Sequence, residues 1–338
     1  MADGKFITEV VLDRGTGSSF GKHRKPAGNG KKRPHSLRCK KQRPDMDVTL
    51  EYAQSLHMKG YDLAVVNHLA QLGYATTEQI SRLFFNEFNR PLKSAQRRLF
   101  QLWGGHVLDR EPGDGQEEYD IPQQLVYSLG KAGNLILDES DPEGSKKRKK
   151  PGKLLRLHNL LLGEMLAGMS DFVSKTKWKG GLEFFGERAA AVQFEYNERR
   201  IKMRPDGLLY LNNEEEDIEI PLFIELDTSM RNIDHFRGKV IQYNSYFASN
   251  KWKLRFEKFP YVAVVVWGKA EPGEEKKRLR LADIRLQRII AKVKGEKWTQ
   301  SYNWLFARLD HAKRGQFSML TAKSDKLVKR ELFNIPVN

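Results

Sequence analysis

A stretch of residues that opposes regular structure divides this chain of 338 residues and limits how it can fold. Residues Asp138–Gly152 read DESDPEGSKKRKKPG, in which proline, glycine and a basic run leave almost nothing to bury. A second such stretch, rich in Gly, Ser, Pro, Lys and Arg, occupies the N-terminus. The sequence therefore predicts a disordered basic tail over 1–49, a small domain over 50–138, a basic linker over 139–152 and a larger domain over 153–338.

The charge of the chain favours a polyanionic partner. Lys and Arg number 59 against 43 Asp and Glu, which gives a formal net charge of +16. Residues 1–46 contain twelve Lys or Arg and four Asp or Glu, so half of that excess lies in these residues. A basic arm of this kind suits contact with DNA phosphates, and it suits a solubilising tail equally well.

Cysteine usage and hydropathy exclude several classes of protein. The single cysteine, Cys39, excludes an intramolecular disulfide and a cysteine-based zinc site. The longest uninterrupted apolar run, near Val262–Trp267, is far shorter than the roughly 20 residues of a membrane span. The N-terminus also lacks the apolar segment of a signal peptide. We therefore expect a cytoplasmic protein with no membrane partner.

The pattern of the first domain predicts a helix-turn-helix. Tyr61–Leu72 has apolar residues at helical spacing, including Leu63, and ends at a glycine. Thr76 and the residue three positions later have the spacing of a capping box, which indicates that a second helix begins there. After a third helix, Val107–Glu111 and the extended segments that follow it predict a β-wing. This order of elements is typical of a winged helix.

The third helix, predicted over Pro91–Trp103, is the candidate DNA-reading element. Leu92 and three further apolar residues form an inward stripe, and polar side chains cover the other faces. Arg and Gln can read base edges, whereas Lys and Ser hold phosphates. A solvated charged face is the alternative interpretation. The candidate DNA-binding residues are Lys93, Ser94, Gln96, Arg97, Arg98 and Gln101.

Clustered carboxylates are the main chemical signal of the second domain. Ile201–Leu211 and Ile220–Asp227 read as strands, and in the second of these Glu225 and Asp227 point to the same face. If the two strands pair, Asp206 approaches both side chains. Three close carboxylates repel one another unless a cation lies between them, so the pattern favours Mg²⁺ or Mn²⁺ held by Asp206, Glu225 and Asp227. A solvent-facing acidic strand end is the alternative.

A predicted helix over Asp234–Phe247 follows these strands. Lys239, Gln242 and Tyr246 share one of its faces, next to a buried stripe. A lysine and a glutamine beside a carboxylate cluster could orient water or neutralise developing charge. A surface lysine with a packing tyrosine explains the pattern equally well. The candidate catalytic residues are therefore Glu164, Asp206, Glu225, Asp227, Lys239 and Gln242.

Several segments together resemble the replication-relaxation family of plasmids and integrative elements. These are VYSLGKAGNLIL, LLRLHNLLLGEML, RPDGLLYL, FIELDTSM and KVIQYNSY, in that order along the chain. The second half also resembles the PD-(D/E)XK nuclease fold. That resemblance implies metal-dependent cleavage, with Asp206 and Glu225 as the motif acids and Glu164 as an acid on the first helix. Gln242 and Tyr246 resemble the Gln-x-x-x-Tyr element of some members, whereas Asp227 stands where the motif has lysine.

These observations predict an α+β protein, with an N-terminal winged helix and a nuclease-like α/β domain built on a mixed central sheet. The resemblance implies a DNA-binding accessory protein that acts in replication, relaxation or mobilisation at an origin. Double-stranded DNA is then the partner, together with a relaxase or a replication initiator. A metal-dependent nuclease or nickase and a winged-helix transcriptional regulator are the competing functions. No cofactor other than Mg²⁺ or Mn²⁺ is indicated.

Overall fold

A computed structural model gives the fold of most of the chain. The described residues are 47–112, 125–140, 153–175, 181–213, 218–228, 232–270, 273–296, 302–320 and 327–332. The predicted tail up to residue 46, the tip of the predicted wing and most of the predicted linker lie outside these ranges. None of the helices in the described part of the chain is long and apolar enough to cross a membrane.

The first part of the chain consists of five helices and a small antiparallel sheet. The helices are α1 (Leu50–Ser55), α2 (Gly60–Leu72), α3 (Thr77–Phe84), α4 (Pro91–Gly104) and α5 (Lys131–Ser140). The strands are β1 (Ala75–Thr76), β2 (Leu108–Glu111) and β3 (Val126–Leu129), in the order β1-β3-β2. The core lies between α2, α3 and α4, where Val66, Leu69, Ile80, Ala95 and Leu99 are buried.

Local signals in this part agree with the structure, whereas two burial predictions are wrong. Thr76 begins α3 as its N-cap, and the reciprocal bonds of a capping box join it to Gln79. Leu63 and Leu92 were expected inside, yet they are 41% and 47% exposed. Both lie on the predicted helices, but within the described ranges their side chains are not packed into the core. Helix α5 also continues to Ser140, into the predicted linker.

The second part of the chain is built on a seven-stranded sheet. Its helices are α6 (Lys153–Val173), α7 (Glu187–Ala190), α8 (Ile233–Ser249), α9 (Glu275–Lys294) and α10 (Leu309–Ala312). Its strands are β4 (Leu182–Gly186), β5 (Val192–Tyr196), β6 (Arg199–Met203), β7 (Gly207–Asn213), β8 (Ile218–Asp227), β9 (Tyr261–Val266), β10 (Trp304–Arg308), β11 (Gln316–Leu320) and β12 (Leu327–Glu331). The sheet order is β12-β11-β10-β9-β8-β7-β4, and β5 pairs with β6 separately.

Strand directions confirm the prediction of an α+β chain with a mixed central sheet. Strands β8, β9 and β10 are parallel, whereas β4, β7 and β8 pair antiparallel. The single strand expected over Ile201–Leu211 is instead two strands, because β6 ends at Met203 and β7 begins at Gly207. Proline lacks the N–H that a continuous ladder needs, and Pro205 lies in this break.

Strand β8 separates two cores and thereby sets the direction of its polar side chains. Leu222, Ile224 and Leu226 pack on the side of α6, whereas Phe223 packs on the side of α8. This alternation confirms the predicted faces of the strand. Glu225 therefore points from the middle of the sheet toward α8.

The two parts of the chain contact each other directly. Leu72 from the end of α2 lies in the same apolar cluster as Leu161 and Leu162 of α6. The backbone N–H of Gly186, in β4, donates to the side-chain oxygen of Gln71 at 3.1 Å. Helix α3 also packs along α6. The first part of the chain therefore packs against the part that contains the seven-stranded sheet.

Candidate functional site

The turn before β7 fixes one carboxylate next to β8. The backbone N–H of Asp206 donates to the carbonyl oxygen of Ile224 at 2.9 Å. One oxygen of the Asp206 carboxylate accepts a hydrogen bond from the backbone N–H of Leu226 at 2.7 Å. Asp206 therefore lies beside β8. Its two partners, Ile224 and Leu226, flank Glu225, which carries the second carboxylate.

That second carboxylate, Glu225, is buried and points toward α8, where two side chains meet it. It is 2% exposed. The hydroxyl of Tyr243 donates to its Oε1 at 2.7 Å, and Lys239 Nζ contacts its Oε2. The same Nζ is 3.8 Å from Oδ1 of Asp206. Lys239 therefore lies between the two carboxylates, and we call Asp206, Glu225, Lys239 and Tyr243 the acid–lysine cluster.

Burial and neighbouring charges give the two acids of the cluster opposite pKa shifts. Burial, together with the charge of Asp206, raises the pKa of Glu225 to about 7, although Lys239 and Tyr243 oppose the rise. Burial also acts to raise the pKa of Asp206, but Lys239 and His158 outweigh it and the pKa falls below its usual value. Near neutral pH, Asp206 is therefore ionised while Glu225 titrates.

A histidine from α6, which the sequence analysis did not single out, reaches the same cluster from the other side of the sheet. His158 Nε2 is 3.3 Å from Oδ2 of Asp206 and 3.3 Å from the carbonyl oxygen of Leu226. Burial lowers the pKa of His158, but the Asp206 carboxylate outweighs burial and the net shift is upward. A polar residue inside the apolar run of LLRLHNLLL was the signal that could have identified it.

Asp227 does not join the acid–lysine cluster. Its two carboxylate oxygens accept hydrogen bonds from Nε and Nη2 of Arg285, at 3.1 Å and 2.9 Å. It lies at the very end of β8, where α9 brings this arginine onto it. Among the described residues, no group of three or more His, Cys, Asp or Glu side chains is arranged to hold a metal ion. The three-carboxylate site expected for Mg²⁺ or Mn²⁺ is therefore not formed here, and Lys239 contacts both remaining acids.

Glu164 also lies away from the cluster, in an ionic network between the two parts of the chain. Its Oε1 is 3.0 Å from Arg82 Nη1, on α3, and 2.7 Å from Lys313 Nζ, just after α10. Arg82 also pairs with Asp171 at 2.7 Å. Burial acts to raise the pKa of Glu164, but these two cations outweigh it and lower the pKa. The geometry therefore assigns Glu164 a structural role at this interface.

Gln242 and Tyr246, which the sequence placed on the same face of α8 as Lys239, differ in their surroundings. Gln242 is half-buried, whereas Tyr246 is buried, with its ring 5.1 Å from that of Phe194. The hydroxyl that reaches Glu225 comes instead from Tyr243. The sequence pattern identified the correct helix, but the helix turns a different tyrosine toward the carboxylate.

Helix α4 presents the candidate DNA-binding residues on two different surfaces. Lys93, Gln96 and Arg97 are exposed and face solvent. Arg98 is instead bound to Asp62, with its Nε and Nη2 at 2.8 and 2.5 Å from the carboxylate oxygens, and its Nη1 donates to Gln101 at 3.0 Å. Asp62 is fully buried, so this pair holds α2 against α4. Ser94 is half-buried.

Comparison with known proteins places the chain in a family. The family model described as replication-relaxation matches residues 66–262, more than half of the chain. The protein belongs to the replication-relaxation family. This confirms the resemblance seen in the sequence segments. Comparisons with curated proteins and with solved structures gave no significant match.

The matched region of this replication-relaxation protein contains both candidate surfaces. It begins in α2 and ends in β9, so it contains the exposed face of α4 as well as the acid–lysine cluster. Arg285 and Lys313, which hold Asp227 and Glu164, lie beyond it. The family match therefore covers α4 and the acid–lysine cluster but not the cations that pair with Asp227 and Glu164.

Proposed function

We propose that this replication-relaxation protein is a DNA-binding accessory protein of a plasmid or integrative element, and that residues from α2 to β3 form its winged-helix module. Three helices followed by an antiparallel strand pair support this interpretation. The family model supports a role in replication or relaxation. A relaxase or a replication initiator that acts at the same origin is the protein partner we propose.

The exposed face of α4 is the observation that carries this proposal. Lys93 and Arg97 lie one turn apart and face solvent, and the helix contains no acidic residue. Within the described part of the chain, neither side chain forms an ion pair. Free cations on a helix rich in glutamine and arginine suit phosphate contacts and base edges in the major groove.

The test measures duplex affinity for Lys93→Ala+Arg97→Ala over a range of salt concentrations. A matched control is Lys276→Ala+Arg280→Ala, because these residues are exposed, four apart and carried by α9. Both variants lose two positive charges. We expect the α4 variant to lose at least tenfold in affinity and to reduce the salt slope by about 2, because each lost phosphate contact removes roughly one unit.

Equal losses in the two variants would mean that only net charge matters, and would remove α4 as the reading surface. With the binding surface established, footprinting on the element's DNA locates the site. Protection at an origin supports the accessory role. Protection confined to the protein's own promoter would indicate a transcriptional regulator instead.

A second candidate function, a nuclease or nickase, is favoured by the acid–lysine cluster. Asp206, in the turn before β7, lies next to Glu225 of β8, and the resemblance to PD-(D/E)XK nucleases implies acids in these positions. Lys239 approaches from α8, where it could stabilise the negative charge that develops on a phosphate during cleavage. The described residues do not supply the three oxygen ligands that the metal mechanism needs, so we derive no step through a metal.

Supercoiled plasmid is the substrate that tests this second function, with and without Mg²⁺ or Mn²⁺. The proposal expects conversion to open-circular or linear DNA by the wild type, loss of conversion in Asp206→Asn, and retention in Glu164→Gln. Glu164 is the control because it is a partly buried carboxylate outside the cluster. Identical behaviour of the wild type and Asp206→Asn under every condition would reject the nuclease.

A further inference from the structure

The exposed face of α4 contains an apolar side chain that the fold leaves uncovered. Leu92, in the first turn, is 47% exposed. Phe100, the other exposed apolar residue of the helix, is covered in part by Arg110, whose guanidinium lies 5.5 Å from its ring. Leu92 has no such cover among the described residues. Exposure of a single leucine is common at a protein surface, so any role for Leu92 depends on the side chains around it.

The neighbours of Leu92 indicate the chemistry of that occupant. Gln96 lies one turn further along the same line of the helix, and Lys93 and Arg97 form the adjacent line. All four side chains face solvent. The positive charges complement phosphate, and a glutamine can pair with the N6 and N7 edge of adenine. The one apolar group that a base edge offers in the major groove is the C5 methyl of thymine.

We propose that Leu92 is a specificity-determining residue, which packs on the thymine methyl of an A·T pair in the major groove while Gln96 contacts adenine. This inference rests on the proposed DNA-binding function and deepens it, because it names the base pair that α4 prefers. Burial of a methyl group contributes about 0.8 kcal/mol, which corresponds to roughly a fourfold difference in affinity.

Three alternating copolymer duplexes test the proposal: poly(dA-dT), poly(dA-dU), which lacks only the C5 methyl, and poly(dG-dC). We expect the wild type to bind poly(dA-dT) about fourfold more tightly than poly(dA-dU), and poly(dG-dC) more weakly than both. Leu92→Ala should bind the first two equally while its salt dependence is unchanged. Leu281→Ala is the control, because this leucine is 38% exposed on α9, and it should retain the preference.

Equal affinity of the wild type for poly(dA-dT) and poly(dA-dU) overturns the thymine contact, as does a methyl preference that survives in Leu92→Ala. Light scattering of both proteins tests the other occupant, a second copy of this chain. A wild-type dimer that dissociates in Leu92→Ala overturns the proposal in favour of self-association. The failure of DNA binding through α4 is separate, because the loss of poly(dA-dT) affinity in Lys93→Ala+Arg97→Ala would then be no larger than that in Lys276→Ala+Arg280→Ala.

Discussion

Glutamine in place of Glu225 is a perturbation whose effect on stability can be calculated from the site. The side chain is 2% exposed, and burial raises its pKa from an ordinary 4.5 to about 7. The folded chain therefore holds this proton more tightly than the unfolded chain does. The stability that protonated Glu225 contributes is complete below about pH 4.5 and is lost as the pH rises toward 7. Above that range the ionised carboxylate destabilises the fold.

The size of the pKa shift of Glu225 sets how much its ionisation lowers the free energy of unfolding. Each pKa unit corresponds to about 1.4 kcal/mol, so ionised Glu225 costs up to about 3 kcal/mol. Glutamine has the same shape and can still accept the hydrogen bond of Tyr243. Lys239 loses one partner but remains near Asp206. We expect Glu225→Gln to be more stable than the wild type by about 1–3 kcal/mol at pH 8, and by little at pH 5.

Urea unfolding followed by tryptophan fluorescence, between pH 5 and pH 8.5, measures this difference. Glu164→Gln is the control with the opposite sign, because Lys313 and Arg82 lower the pKa of Glu164 despite its burial. A lowered pKa contributes stability above about 4.5, which is lost as the pH falls through the folded value. Glu164→Gln should therefore be destabilised at pH 8. A Glu225→Gln protein that is less stable than the wild type at pH 8 would refute the reasoning. A difference in the free energy of unfolding that is the same at every pH would refute it as well.

Three further predictions concern the scaffold. Arg98→Ala leaves the fully buried Asp62 without its cation, and calorimetry should show that the free energy of unfolding falls by about 3 kcal/mol. Gly186→Ala places a Cβ against the backbone carbonyl of Gln71, and urea unfolding should show a loss of about 1–3 kcal/mol. Arg82→Ala removes two charged contacts between the parts of the chain; a loss of about 1–3 kcal/mol is expected, and an unchanged melting temperature would contradict the interface.

Elements with a strong local pattern could be predicted from the sequence. The capping residues around Thr76 begin α3 where expected, and the alternation in β8 separates Ile224 from Glu225 correctly. Each of these depends on neighbours within four residues. The break at Pro205 was not predicted, because Ile201–Leu211 was taken as a single strand, although the proline itself was the available signal.

The candidate site was predicted only in part. The pairing of β7 with β8 places Asp206 beside Glu225, as expected if these two segments of the sequence pair. The partners of the other two acids come from distant segments: Arg285 is 58 residues from Asp227, and Lys313 is 149 residues from Glu164. No local pattern indicates which cation reaches a given carboxylate across such separations.

The sequence by itself determined the main helices of the first part of the chain, the two faces of β8 and the basic character of this replication-relaxation protein, because backbone geometry repeats every 3.6 or 2 residues and charge is additive. Tertiary structure alone decided which groups meet. It placed Lys239 between two acids, paired Asp227 with Arg285 and left the side chain of Leu92 exposed. The physical reason is that a face is fixed locally, whereas contact across a face depends on how whole elements pack.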